Sequence, residues 1–153
     1  MKKLTLLLLL IPLVSFGQIK TLNDLLKINN LNQFKRICIE NGYEKNKYQP
    51  RDNMVEYYLN PTYSDNDVEK AYGAAIYYTN NNNFRIMFYK TPVLGVNLDY
   101  ESIFDEVKNE CEFYDITTTK EGDDYSTYSC TLIGKYGFRE DEGWSNILYF
   151  VLK

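Results

Sequence analysis

Asn30-Leu-Asn-Gln33-Phe34-Lys-Arg-Ile37-Cys38-Ile-Glu-Asn41-Gly42 is the stretch from which the fold can be read. Leu31, Phe34, Ile37, Cys38 and Asn41 recur at spacings of three and four, which gathers them on one face of a helix. Asn30 and Gln33 form a capping box at its start, and Gly42 accepts the left-handed conformation that ends it. A looser box, Thr21 with Asp24, opens a short helix just before. Beyond Gly42 the period of the apolar residues changes. Residues 43–48, 54–59, 71–79 and 84–89 are rich in Tyr, Phe and Ile, and polar turns such as 49–53 and 80–83 separate them. Such runs favour a pleated, half-buried surface, and short turns between them require antiparallel pairing.

The same order recurs further on. Tyr100, Ile103, Phe104, Val107, Cys111 and Tyr114 form a second helical stripe, with Asp99 as the expected N-cap. Phe34 aligns with Phe104, Ile37 with Val107, Glu40 with Glu110 and Tyr43 with Phe113. Residues 53–59 align with 124–130, Tyr72-Gly73 with Tyr136-Gly137, and Phe84 with Trp144. Strands are expected over 113–119, 125–132, 136–139 and 146–152. This self-similarity predicts a duplicated supersecondary unit. The expected fold class is α+β: two related units, residues 18–92 and 93–153, each with its helix or helices packed on an antiparallel sheet of three to four strands.

The element order resembles that of the beta-lactamase inhibitor proteins. The resemblance implies a secreted protein of two tandem units, each a helix-loop-helix on a four-stranded antiparallel sheet, with an inhibitor-like role. The second unit departs from that pattern, because Pro92 and Gly95 interrupt the segment where its first helix would lie.

Residues 1–17 read as a secretory signal peptide. Lys2 and Lys3 form a basic start, residues 4–14 are mostly apolar, and Ser15 and Gly17 place small residues before a cleavage site at Gln18. The apolar run falls short of the roughly 20 residues needed to span a bilayer. The expected product is periplasmic or secreted, with no membrane insertion after cleavage. Loss of the two lysines makes an already acidic chain of net charge −4 more acidic, which disfavours nucleic acid as a partner.

The chain has no histidine, which removes the commonest general base and zinc ligand. Cys38, Cys111 and Cys130 all fall on apolar faces. They read as buried structural thiols or, for Cys111 and Cys130, as a disulfide within the second unit. The acidic turns at Asp65 and Asp67, at Asp123 and Asp124, and at residues 140–142 read as solvated. The first of these lacks the Gly and distal Glu of a calcium loop. No metal or cofactor is expected.

Tyrosine offers the remaining chemistry, with 15 in the chain. Strand alternation turns Val55, Tyr57 and Leu59 toward the helices and leaves Glu56 and Tyr58 outward. It likewise turns Phe84, Ile86 and Phe88 inward and leaves Arg85, Met87 and Tyr89 outward. Between them, Ala74, Ile76 and Tyr78 are read as inward and Tyr77 as outward. The candidate binding residues are therefore Tyr58, Tyr77, Arg85, Met87 and Tyr89, types enriched at protein interfaces. The expected function is non-enzymatic binding of a protein partner through an open sheet face. The alternatives are a carboxylate-based hydrolase and a carrier of a small apolar ligand.

Overall fold

The structure is a computed structural model that describes residues 19–48, 51–90, 97–131 and 134–151. The expected signal peptide and the junction between the two expected units lie outside the described residues. Among the described residues the chain folds as α+β, with three helices, one eight-stranded antiparallel sheet and a separate two-stranded one. No helix among the described residues is long and apolar enough to cross a membrane.

Helix α1 (Leu22–Leu26) begins where the Thr21 side chain accepts from the Asp24 N–H at 3.2 Å. Helix α2 (Leu31–Glu40) begins where Asn30 accepts from the Gln33 N–H at 3.0 Å; Gln33 in turn accepts from the Asn29 N–H. Gly42 closes it at φ 75°, the left-handed region glycine enters without steric cost. Helix α3 (Leu98–Glu110) is capped two residues earlier than expected. Asn97, not Asp99, is the N-cap, and its side chain accepts from both the Asp99 and Tyr100 N–H groups at 3.1 Å.

Strands β1 (Tyr43–Lys45) and β2 (Met54–Leu59) follow α2. A hairpin that the sequence pattern does not announce, β3 (Thr62–Tyr63) and β4 (Val68–Lys70), comes next. Then come β5 (Gly73–Tyr78) and β6 (Asn83–Tyr89), α3, β7 (Glu112–Thr118), β8 (Asp124–Ser129), β9 (Gly134–Asp141) and β10 (Trp144–Val151). The strand order is β1-β2-β5-β6-β10-β9-β8-β7. Each half of the chain contributes four strands in meander order. The halves meet at β6 and β10, which pair from Trp144↔Tyr89 to Tyr149↔Phe84. The expected pair of separate sheets is thus one continuous sheet.

All the helix residues in the main core pack on one face of this sheet. Phe34, Ile37 and Cys38 of α2, Leu22 and Leu25 of α1, and Tyr100, Ile103 and Val107 of α3 share the core with Tyr57, Ala75, Tyr77, Phe84, Ile86, Phe88, Tyr136, Phe138, Ile147 and Tyr149. The register sets Tyr77, Phe84, Tyr149 and Tyr136 side by side across β5, β6, β10 and β9. Phe84 stacks on Tyr149 at 4.9 Å, and Tyr136 lies 5.0 Å from Tyr149. Tyrosine is tolerated there where its hydroxyl finds a partner. Tyr136 donates to the Leu25 carbonyl and Tyr77 to Asn82. Burying each such ring contributes roughly 1.5–3 kcal/mol.

Two expectations about faces are corrected. Tyr77, read as outward, is 1% exposed and lies 5.2 Å from the Phe34 ring on the helix side. Ala75 and Tyr77 face the helices, while Ala74, Ile76 and Tyr78 face away. The reason is that 73–78 is apolar on both parities, so burial of the larger ring against Phe34 decides the register. The residue-by-residue alignment of the halves also slips in the last two strands. Phe84 sits under the helices, whereas Trp144, opposite Tyr89, lies on the other face.

Cys111 and Cys130 are joined by a disulfide, with their Cα atoms 4.7 Å apart. Cys38 is a buried free thiol, and burial pushes its pKa up.

Candidate binding face

Among the described residues, the opposite face of the sheet carries no helix. Its rows can be read from the register. Tyr58, Ala74, Met87, Asn146 and Arg139 run side by side across five strands. Glu56, Ile76, Arg85, Leu148, Gly137 and Thr127 form the adjacent row. Tyr89, Trp144 and Asp141 stand at one end. Of the five candidate residues, Tyr58, Arg85, Met87 and Tyr89 therefore share this face, each half-buried. Tyr77 does not.

A polar network crosses the middle of the face. Arg85 Nε donates to Asn146 Oδ1 at 3.0 Å, and Asn146 Nδ2 donates to Asp141 Oδ2 at 2.8 Å. Arg139 pairs with Asp141 at 2.6 Å and also with Asp123. Asn146 is 1% exposed, so its amide is compatible with burial only because both ends are bonded. Glu56 is also buried, at 5% exposure. Asn46 Nδ2 donates to it at 2.7 Å, and Arg51 lies 4.0 Å away. A buried carboxylate needs such partners to offset desolvation. Burial first, and then the neighbouring Glu56 charge, pushes the Tyr58 hydroxyl up to about 12. Burial also raises the Tyr125 pKa, against the opposing pull of Arg85 and Arg139.

Apolar side chains build a groove beside the network. Gly137 has no side chain, and a Cβ there would come within 2.9 Å of both Phe150 and Tyr125. The two rings instead meet over it edge to face, 6.3 Å apart. With Met54, Tyr78, Arg85 and Leu148, and with the turns at 80–83 and 118–121, they line a groove of about 620 Å³. At the far end, Tyr89 meets Tyr72 at 6.4 Å and 89° and Trp144 at 5.5 Å and 77°. These three rings, with Asn60, Thr62, Glu69, Lys70 and Ala71, line a second cavity of about 380 Å³.

Sequence reasoning missed Trp144, Tyr72, Tyr125 and Phe150. Strand β10 carries apolar residues on both parities, so alternation alone does not separate its faces. Among the described residues no three His, Cys, Asp or Glu side chains gather as a metal site. Asp123, which lines the groove, and Asp141 both pair with Arg139. No protein family, curated protein or solved structure matches this chain.

Proposed function

We propose that the protein is an exported, non-enzymatic binding module that docks a protein partner on the helix-free face of its sheet. One observation carries this reading. All three helices pack on one face, yet the other face presents Tyr58, Met87, Tyr89, Trp144 and Arg85, residue types that dominate binding energy at interfaces. The mirrored strand order β1-β2-β5-β6 and β10-β9-β8-β7 supports a duplicated unit of helix plus four strands. The resemblance to the beta-lactamase inhibitor proteins implies a helix-loop-helix in each unit, whereas the described second half carries α3 alone; taken from that resemblance, inhibition is one form the binding would take. The basic and apolar pattern of residues 1–17 supports export.

The test uses the processed protein as bait, followed by affinity measurement with the captured partner. Tyr89→Ala and Trp144→Ala should each weaken binding by about 1–2 kcal/mol while the fold stays intact. Unchanged affinity in both folded variants would remove the face from consideration. The groove beside Phe150, Tyr125 and Leu148 favours a second reading, a small apolar ligand held by these three side chains. Competition between such a ligand and the protein partner would show that the two share one surface.

A further inference from the structure

Three rings gather in the row that ends the helix-free face. Tyr72 precedes β5 and continues its ladder: its N–H donates to the Leu59 carbonyl at 2.9 Å, and its carbonyl accepts from the Tyr89 N–H at 3.2 Å. Tyr89 in turn pairs with Trp144. The three side chains therefore stand side by side on the face turned away from the helices. In the core, Phe84 and Tyr149 lie nearly parallel, at 15°, and cover each other's faces. Here Tyr89 stands at 89° to Tyr72 and at 77° to Trp144, which makes a corner rather than a stack. Tyr72 is 60% exposed, so the corner opens to solvent.

The small hairpin supplies the facing wall. Asn60, at φ 46°, turns the chain out of β2, and β3 and β4 then stand apart from the main sheet. Thr62 pairs with Lys70 across that hairpin. These two residues, with Asn60 and Glu69, join the rings around the cavity of about 380 Å³, a size within the range of small-molecule sites. Glu69 and Lys70 bring opposite charges to its rim. An anion would meet Glu69 and a cation would meet Lys70, whereas a neutral ligand meets no like charge. The rim also mixes hydrogen-bonding roles: Lys70 donates only, Glu69 accepts only, and Asn60 and Thr62 do both. A purely apolar occupant would desolvate these groups without replacing their bonds to water.

We propose that this cavity binds a neutral sugar. A pyranose ring has an apolar face of C–H groups, which suits an aromatic wall, and a rim of hydroxyls that each donate and accept. The site gives the β3–β4 hairpin a role that the main sheet does not require of it. It goes beyond the docking of a protein partner and does not depend on one.

Trp144 is the only tryptophan in the chain, so its fluorescence reports on this cavity directly. The purified protein is titrated with glucose, galactose and N-acetylglucosamine, and with linear oligomers of glucose and of N-acetylglucosamine. Tetramethylammonium chloride and sodium acetate serve as charged probes. The expected result is a saturable change with a sugar at millimolar concentration or below, and none with the two salts. Saturation-transfer NMR should show the C–H protons of that sugar receiving magnetisation from the protein. Tyr72→Ala, which keeps the reporter, and Lys70→Ala should each raise the Kd at least about fivefold. Equal affinity for a sugar and its oligomer marks a free sugar as the ligand, and tighter binding of the oligomer marks a glycan chain. A protein that binds none of the sugars by either measurement overturns the proposal. So does saturation by either salt in place of a sugar, or a sugar affinity unchanged in both folded variants. No protein partner is present in these titrations, so their outcome is separate from that of the docking experiment.

Discussion

Replacing Tyr77 by alanine should unfold the protein far more readily than replacing Tyr89, a half-buried residue of the helix-free face. Its ring is 1% exposed, packs 5.2 Å from Phe34, pairs across strands with Val55 and Phe84, and donates its hydroxyl to Asn82 at 3.1 Å. Deleting a buried aromatic ring costs about 3–5 kcal/mol, through lost transfer energy and the cavity left behind. That is a large share of the roughly 5–15 kcal/mol that holds a domain folded. Tyr77→Phe keeps the ring and loses only the bond to Asn82, worth about 1 kcal/mol. Urea unfolding followed by circular dichroism separates the cases. With a slope of about 2 kcal/mol per M, Tyr77→Ala should lower the midpoint by about 2 M and Tyr77→Phe by about 0.5 M. Tyr89→Ala, which loses only half-buried contacts to Tyr72 and Trp144, should cost about 1 kcal/mol. A Tyr77→Ala midpoint no lower than that of Tyr89→Ala would show that the face assignment of β5 is inverted.

Three further outcomes are expected from the packing. Gly137→Ala should lose about 1–3 kcal/mol by thermal melting, because its Cβ would press on both Tyr125 and Phe150. Reducing the Cys111–Cys130 bond should cost about 3 kcal/mol in the same assay, the chain-entropy value for a loop of this order; native protein should meanwhile show no reactive thiol, since Cys38 is buried and its pKa is raised. Stability should fall as pH rises above about 10, the ordinary tyrosine value. Burial raises the folded-state pKa of Tyr43, Tyr100 and Tyr136, and burial with Glu56 raises that of Tyr58 to about 12. Above pH 10 the unfolded chain therefore releases protons that the folded chain keeps, and the stabilisation is lost through the folded values. Urea midpoints measured across this range that stay level would contradict the burial of these hydroxyls.

Helices and most strands were legible because their signals are local. Thr21 and Asn30 cap α1 and α2 through bonds made within three residues, and 84–89 alternates large apolar residues with Arg85, Met87 and Tyr89. Faces were legible only where the two parities differ in polarity. In β5, Gly73, Ala74 and Ala75 say nothing, and Ile76, Tyr77 and Tyr78 all suit a core. The choice fell to Phe34, a residue on another element. Asn97 displaced Asp99 as a cap because either side chain suits the role and only the chain path decides. The β3–β4 hairpin is too short to show a period. The candidate face was legible in its first half and hidden in its second, since joining Tyr89 to Trp144 depends on a pairing between strands far apart in sequence.

The position of β10 has a consequence for how the chain matures. It comes after the other strands in sequence, yet it is fifth of eight in the sheet, flanked by β6 and β9. Until residues 144–151 have been made and released, β6 and β9 each expose a raw edge and the aromatic column lacks Tyr149. Closure must then join segments distant along the chain, the kind of contact that forms slowly. The sheet is therefore completed at its centre, when the strand made after the others bridges two part-built meanders.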